Sequence, residues 1–262
     1  MTGRLPARQR VRRTLLVALL LLFPLAFNYW SPVLPVMGAL EGVACFSLLF
    51  WGAWTVSSIF LGRAACGWFC PLAGLQEVVH DALQRPIERS RAVAWLRWAL
   101  WGSWITILGW ALHRGGGLAR MDLLYRTEHV VSWDGPRGAA IYTGMFGLVL
   151  LAAIPLGGRG FCSHLCWWGP LNALGGRVGR LLRLPQLELT ADPARCSSCR
   201  RCDRACPAGV SVSSMVQLGA RPPGDCVLCG SCADACPTGA AKLVFGRAAQ
   251  SPCADRSRKA SA

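Results

Sequence analysis

Two cysteine runs near the end of the chain constrain its fold more than any other feature of the sequence. The strings "CSSCRRCDRACP" at 196–207 and "CVLCGSCADACP" at 226–237 both have the spacing CxxCxxCxxxCP. Runs with this spacing bind 4Fe-4S clusters, and the fourth cysteine of each run ligates the cluster of the other run. The predicted ligands are therefore Cys196, Cys199, Cys202 and Cys236 for one cluster and Cys226, Cys229, Cys232 and Cys206 for the second.

Zinc is the main alternative for sites made of four cysteines. Zinc ribbons, however, use paired CxxC units rather than a four-cysteine run that ends in CP. The sequence contains no CxxCH string, which excludes the usual covalent attachment of haem. The two runs leave little chain for a hydrophobic core, so we expect the clusters to supply much of the folding free energy of this small α+β domain.

The rest of the chain is apolar enough for a membrane protein, with 53% hydrophobic residues among 262. Residues 14–40, 42–61 and 138–158 carry no charge, and each stretch is long enough to cross about 30 Å of hydrocarbon as a helix. A further stretch near 92–112 contains Arg97, whose long side chain we expect to snorkel to the membrane interface. The sequence therefore predicts a polytopic α-helical membrane protein with four transmembrane helices.

The positive charge of the chain predicts its orientation. Most of the formal net charge of +15 is arginine beside apolar stretches, which favours the lipid bilayer as partner and argues against nucleic acid. Five arginines precede the first stretch, namely Arg4, Arg8, Arg10, Arg12 and Arg13. The positive-inside rule then places both termini and both clusters on the cytoplasmic side of the bacterial cytoplasmic membrane. Arg12 and Arg13 also fit a twin-arginine export signal, but the long apolar run and the later spans favour a retained signal-anchor.

The cytoplasmic ends of the second and fourth spans carry the same motif, GRxxCxxxC. Cys66 and Cys70 follow the second span, and Cys162 and Cys166 follow the fourth. Each pair precedes an amphipathic stretch that ends at a proline, Pro86 or Pro185, and that suits a helix on the membrane surface. Two similar hairpins would place the four thiols on one face of the bilayer.

Three interpretations of these four cysteines remain open. They can hold an additional metal or redox centre, cycle between dithiol and disulfide as catalytic groups, or pack as small apolar side chains. A duplicated motif favours the first two. Arg63 and Arg159, which belong to the motif, would lower the thiol pKa values if they approach, and this would favour thiolate chemistry.

Other titratable residues give weaker signals. Glu41, Glu128 and His129 are candidate proton acceptors near the outer face, although solvated loop positions explain them better. His164, between Cys162 and Cys166, is a candidate ligand or proton donor, and His80 fits a surface position. We interpret Cys45 and Cys253 as incidental.

The whole pattern resembles the NapH family of membrane ferredoxin-type proteins, with kin in MauN, YccM and the carboxyl-terminal parts of NosR and CcoG. The string "CGWFCPLAGLQE" at 66–77 carries the most specific part of the resemblance. It implies electron transfer between the quinone pool and a redox partner, or reductive support of metalloenzyme assembly. The second motif departs from the pattern because Trp167 stands where Pro71 stands in the first.

The predicted organisation divides the chain into seven segments. They are a basic amino terminus (1–13), a first transmembrane hairpin (14–61), a CxxxCP loop with an amphipathic helix (62–91), a second hairpin (92–158), a second CxxxC motif with its helix (159–190), a ferredoxin-like domain (191–246) and a disordered tail (247–262). The leading hypothesis is a quinol-linked electron-transfer component of an oxidoreductase. The alternative is a metal-reducing maturation factor that uses the CxxxC pairs, and a redox sensor is less favoured because no output domain is recognisable.

Overall fold

The structure is a computed structural model that describes residues 5–83, 87, 91–127 and 135–247. Its first part consists of long apolar helices joined by short ones. Their bounds are α1 Ala7–Trp30, α2 Val33–Leu40, α3 Phe46–Leu61, α4 Ala64–Trp68, α5 Pro71–Leu83, α6 Arg91–Arg114, α7 Gly135–Leu156, α8 Gly160–His164 and α9 Trp168–Leu181.

Proline and glycine set several of the helix ends. Ser31 is extended between α1 and α2 because it precedes Pro32, and a residue before proline is disfavoured in the helical region. Helix α3 ends at Gly62, whose φ of 53° suits a residue without a side chain. Helix α5 begins at Pro71, where the missing N–H has no helical partner to lose.

Two segments of the described residues are long and apolar enough to cross a membrane. They are Ala7–Leu40, which α1 and α2 share, and Gly138–Leu156 within α7. Helix α3 has 16 residues, a length of about 24 Å that falls short of the hydrocarbon core. Helix α6 has 24 residues but includes Arg97. The predicted topology of four transmembrane helices therefore stays a prediction.

The snorkelling of Arg97 to the membrane interface stays a prediction, but the structure gives its side chain a counter-ion. Its guanidinium forms an ion pair with Asp225 and donates a hydrogen bond of 2.9 Å to the carbonyl of Ser163. The cysteine-rich domain therefore folds back onto α6 and provides the counter-ion, which the apolar context of Arg97 did not reveal.

The cysteine-rich domain is built on a two-stranded antiparallel sheet. Strand β3 (Pro185–Ala191) pairs with β4 (Ala241–Arg247). The two earlier strands, β1 (Val43–Cys45) and β2 (Arg120–Asp122), are short and pair with each other. Between β3 and β4 lie the short helices α10 Arg201–Arg204, α11 Val212–Gln217 and α12 Ser231–Asp234. The sheet thus begins at Pro185, ahead of the boundary predicted at 191, because β3 needs its full length to pair with β4.

The parallel pair of β1 and β2 closes the opposite end of the helical part. Cys45 is buried there with Val43 and Tyr125. A buried cysteine in an apolar cluster behaves as a small hydrophobic residue, in agreement with its interpretation as incidental.

Candidate cluster sites and the four-thiol centre

Two cavities in the cysteine-rich domain are each lined by four cysteines. Cys206, Cys226, Cys229 and Cys232, here called the proximal set, line a cavity of about 410 Å³. Cys196, Cys199, Cys202 and Cys236, the distal set, line one of about 340 Å³. These are the two crossed sets that the spacing predicts, and that they hold clusters stays a prediction.

The local backbone explains how each run encircles its cavity. Ser198 and Arg200 in the first run, and Leu228 and Gly230 in the second, all have positive φ values between 48° and 78°. Left-handed backbone at non-glycine residues costs about 1–3 kcal/mol and persists only where the surroundings impose it. The same two positions are strained in both runs, as a loop tightly wrapped around a common group requires.

The cavities fit a multi-iron cluster better than a single ion. Among the described residues, no group of three or more His, Cys, Asp or Glu side chains is arranged to hold one metal ion. A 4Fe-4S core is larger, and its four ligands bind four different irons. The thiols therefore stand around a space instead of converging on a point.

The two GRxxCxxxC motifs form a third group of cysteines, here called the four-thiol centre: Cys66, Cys70, Cys162 and Cys166. Cys66 lies in α4 and Cys162 in α8, and the second cysteine of each pair follows its short helix. The thiol of Cys70 interacts electrostatically with those of the other three. The predicted convergence of the two pairs is therefore present in the structure.

Each repeat hydrogen-bonds the thiol of the other. The amide nitrogen of Gln76 donates to Sγ of Cys162 at 3.1 Å, and that of Asn172 donates to Sγ of Cys66 at 3.2 Å. Our sequence interpretation missed both amides. The repeat held the signal, because Gln76 and Asn172 each stand six residues after the second cysteine of their motif.

The motif arginines also cross between the repeats. Arg63 donates to the carbonyl oxygen of Cys162 and Arg159 to that of Cys66, both at 3.3 Å. Their side chains are 4% and 0% exposed. Fully buried guanidinium groups need anionic partners nearby, since an unpaired charge in the interior costs several kcal/mol.

Two carboxylates lie beside these guanidinium groups. Glu77 accepts from both Arg12 and Arg159 at 2.7 Å. Asp225 lies 3.6 Å from Arg63 and also pairs with Arg97. Each carboxylate is thus shared by two guanidinium groups among the described residues. Within the described part of the chain, the Nε atoms of Arg63, Arg97 and Arg159 are buried without a hydrogen-bond partner.

Burial raises the pKa values of Cys70, Cys162 and Cys166, that of Cys166 to about 12. Arg159 and Arg63 lower the pKa of Cys162, in the expected direction, but desolvation outweighs their attraction. The arginines alone therefore do not favour a free thiolate at Cys162. A bound metal centre, by contrast, supplies enough positive charge to deprotonate buried thiols.

The proximal run packs directly against the first motif. A Cβ at Gly67 would collide with the carbonyl oxygen of Val227, and the indole of Trp68 donates to the carbonyl of Leu228 at 3.3 Å. On the other side, the backbone N–H of Arg159 donates to the carbonyl of Pro207 at 3.1 Å. The proximal set and the four-thiol centre therefore share one buried interior.

Comparison with known proteins agrees with this geometry. The 4Fe-4S binding domain family matches residues 43–90 and again 138–185, and the 4Fe-4S dicluster domain family matches 195–241. The methylamine utilization ferredoxin-type protein MauN of Methylobacillus flagellatus is 28% identical over 170 residues, which cover 62% of this chain and 54% of MauN. The putative electron transport protein YccM of Escherichia coli is 24% identical over 205 residues, 72% of this chain and 56% of YccM.

The chain is therefore similar to ferredoxin-type proteins such as MauN and YccM, and it matches two 4Fe-4S domain families. It spans a little over half the length of these two curated relatives. No solved structure matches it.

The departure at Trp167 leaves the repeat geometry in place. Helix α9 begins at Trp168, two residues after Cys166, much as α5 begins at Pro71, directly after Cys70. Asn172 reaches Cys66 from α9 as Gln76 reaches Cys162 from α5. A proline at the helix start is thus not needed for the crossed hydrogen bonds.

The remaining candidate residues lie apart from the thiols or make structural contacts. His164 is buried, and its Nδ1 is hydrogen-bonded to the carbonyl of Gly160 within α8. Glu41 is exposed and pairs with Arg126 at 3.2 Å. His80 lies on α5 with its Nδ1 buried and unpaired among the described residues. Glu128, His129 and Cys253 lie outside the described residues.

Proposed function

We propose that this protein is a membrane-bound electron-transfer subunit that carries electrons between the quinone pool and a redox partner protein. The iron-sulfur character and the electron-transport role follow from the matching domain families and relatives. The observation that supports the finer proposal is the shared interior of the four-thiol centre and the proximal set, with the distal set reaching the surface at Cys199. When bound, iron-sulfur clusters supply one-electron transfer at potentials that the protein tunes.

We infer two clusters in the dicluster domain and a third at the four-thiol centre, because this number gives one cluster to each of the three groups of four cysteines. An oxidised 4Fe-4S core with four thiolates is dianionic. Arg63 and Arg159 are buried beside these thiols, and their positive charge would stabilise that dianion. Four neutral thiols or two disulfides would offer the two guanidinium groups no negative charge.

The arginines also connect the two groups of ligands. Arg63 interacts electrostatically with Cys66 of the four-thiol centre and with Cys226 of the proximal set. Arg159 does the same with Cys162 and Cys229. These two side chains therefore fix the position of one ligand group relative to the other and stabilise negative charge on both.

The distal set presents a basic surface to a partner. Arg195, Arg200, Arg201 and Arg204 are exposed around the exposed Cys199. A positive surface beside a redox site attracts an acidic partner and speeds the encounter. We therefore assign the distal set to exchange with a soluble, acidic electron-transfer protein.

The proposed location is the cytoplasmic membrane with the dicluster domain in the cytoplasm. Arg8, Arg12 and Arg13 of the basic amino terminus form ion pairs with Asp234, Glu77 and Asp81, so they serve the fold as well as the topology. The orientation is also supported by the exposed Cys199, because an exposed cluster ligand calls for a reducing compartment.

Iron counting on the anaerobically purified protein tests the number of clusters. We expect about twelve irons and as many sulfides per chain, falling to about eight in Cys70→Ser or Cys166→Ser. Cys45→Ser is the control, since Cys45 is more deeply buried than Cys70 and Cys166 but lies away from the ligands, and it should leave the count unchanged. About eight irons in the wild type, insensitive to Cys70 and Cys166, would contradict the third cluster.

Reduction by a quinol tests the link to the quinone pool. The protein in lipid nanodiscs should develop the EPR signals of reduced clusters when an anaerobic excess of a short-chain quinol is added. Clusters that dithionite reduces and that no quinol reduces at any quinol-to-quinone ratio would oppose forward quinol oxidation. Reoxidation of dithionite-reduced clusters by the quinone would then show electron flow toward the membrane instead.

A further inference from the structure

An aromatic cavity opens onto the four-thiol centre, and we call it the indole cavity. Its walls come from Phe23 of α1, Trp51 and Trp54 of α3, Met145 of α7 and Trp168 of α9, together with three members of the four-thiol centre, Cys66, Cys70 and Cys166. The aromatic side chains and these three cysteines therefore face one common space.

The tryptophans of the indole cavity are buried donors without acceptors. Trp51, Trp54 and Trp168 are 8%, 9% and 5% exposed, and their Nε1 atoms have no partner among the described residues, like that of Trp167 on the same wall. A buried unsatisfied donor costs about 1–3 kcal/mol. Several such donors around one cavity indicate an occupant that carries acceptors.

Of the tryptophans outside the cavity whose indole N–H is hydrogen-bonded or buried among the described residues, two are paired and one is not. The indole of Trp68 donates to the carbonyl of Leu228, and that of Trp104 donates to the carbonyl of Pro32 at 2.9 Å. Trp101 on α6 is the exception, buried and unpaired within the described ranges. The orphaned donors are therefore concentrated at the cavity and are not a general property of this tryptophan-rich chain.

The shape and surroundings of the cavity define the chemistry of its occupant. Apolar walls of aromatic rings suit a flat ring, and indole N–H groups suit carbonyl oxygens at its edge. Phe23 and Met145 belong to the two segments that are apolar enough to span a membrane, so the cavity is flanked by helices that face lipid. A lipid acyl chain has no acceptor, and a water molecule would find donors but hardly an acceptor.

We propose that the indole cavity binds the head group of a quinone, with its carbonyl oxygens accepting hydrogen bonds from the orphaned indoles. This inference rests on the proposed function and deepens it, since it places the quinone ring against Cys70 and Cys166 of the four-thiol centre. The quinone site then lies near the cysteine motif that follows α3, and not near Glu41, which precedes α3.

Photolabelling of the full-length, cluster-loaded protein in lipid nanodiscs tests the site. The probe is a benzoquinone with a short alkyl tail and a photoreactive azide, and mass spectrometry identifies the labelled peptides. We expect label on peptides that line the cavity. Trp51→Phe and Trp168→Phe, which keep the ring and remove one donor, should each raise the half-saturating probe concentration about fivefold to tenfold.

Trp110→Phe is the matched control because Trp110 is exposed on α6 beside Arg114 and lies outside the cavity. It should leave labelling unchanged. A competition on the wild-type protein needs no variant: an unlabelled quinone should displace the probe, whereas an alkylbenzene of the same size without carbonyl groups should compete at least tenfold more weakly.

Iron content and EPR spectra of the same samples separate the possible failures. Intact clusters with label elsewhere, or equal competition by the alkylbenzene, would overturn the quinone site and leave the proposed function standing. A second outcome is that the clusters stay intact and their reduction potential shifts in Trp51→Phe and Trp168→Phe, while the affinity for the probe stays the same. This outcome would show that the indoles donate to the metal centre, and it would also overturn the quinone site. Loss of the clusters from the wild type would refute the proposed function itself, whatever the label does.

Discussion

Gln76 donates a side-chain hydrogen bond to Sγ of Cys162, 3.1 Å away in the other repeat. Its counterpart Asn172 makes the same bond to Cys66. Hydrogen bonds to the sulfur ligands of a cluster stabilise the more negative, reduced form and so raise its reduction potential. With the proposed cluster bound at the four-thiol centre, the two amides would position its thiols and raise its reduction potential.

Removal of either amide should lower that potential. A hydrogen bond of about 1 kcal/mol corresponds to about 40 mV for a one-electron couple, so Gln76→Leu and Asn172→Leu should each shift the midpoint downward by roughly that amount. An EPR-monitored redox titration measures the shift. Asn28→Leu is the control, because the Asn28 amide donates to the carbonyl of Arg126 on the opposite side of the molecule. An unchanged or raised potential in both amide variants, with iron content intact, would contradict the assignment.

Glu77 and Asp81 both lie on α5, but replacing each carboxylate by its amide should change the free energy of unfolding by very different amounts. Glu77→Gln leaves Arg12 and Arg159 buried without their shared carboxylate and should cost about 3–5 kcal/mol. Asp81→Asn breaks an ion pair with Arg13 in which the side chains are 44% and 39% exposed, and should cost less than about 1 kcal/mol. Thermal unfolding in detergent compares them. Equal losses of stability would contradict the buried trio.

The contribution of Glu77 should also depend on pH. Burial by itself would raise the pKa of Glu77, yet Arg159 and Arg12 together hold it below the ordinary value of 4.5. A carboxylate with a depressed pKa stabilises the fold fully above its unfolded pKa, and this stabilisation is lost as the pH falls through the lower folded pKa. The stability difference between wild type and Glu77→Gln should therefore narrow only below about pH 4.5.

The cysteine pattern predicted the ligand groups because ligand spacing is local. The first three cysteines of a run such as 196–207 must surround one cavity whatever the rest of the chain does, and the GRxxCxxxC repeat carries its symmetry in the sequence. The repeat also contained the signal for the crossed amides, because Gln76 and Asn172 occupy the same position relative to the cysteines of their motifs.

The charged contacts were not predictable in the same way, because they join distant segments. Arg97 pairs with Asp225 only after the dicluster domain has folded back onto the helices, and Arg12 pairs with Glu77 only after α1 has packed against α5. The upward shift of the Cys162 pKa was missed for a related reason. The sequence shows that Arg159 is near Cys162, but the burial that outweighs its attraction belongs to the tertiary structure.

The contact at Gly67 indicates that the dicluster domain packs tightly against the first cysteine motif. A Cβ at this position would collide with the carbonyl oxygen of Val227, so Gly67→Ala should force the proximal run away from the first motif at a cost of about 1–3 kcal/mol. Gly52→Ala is the control. A Cβ at this position would have no atom of the described residues within 4 Å, and alanine favours the helix. Hydrogen exchange should increase at 226–232 in the first variant only. Unchanged exchange there would contradict the tight contact.

The basic surface around the distal set predicts the charge of the partner. Arg200 and Arg201 are exposed next to Cys199, so Arg200→Glu and Arg201→Glu should each slow electron exchange with an acidic flavodoxin or ferredoxin, and the effect should shrink as salt is raised. Stopped-flow rates at several ionic strengths measure it. Arg177→Glu, an exposed site on α9 outside the distal cavity, controls for net charge. If all three variants slow exchange equally, the overall charge of the protein steers the partner and the surface around Cys199 does not.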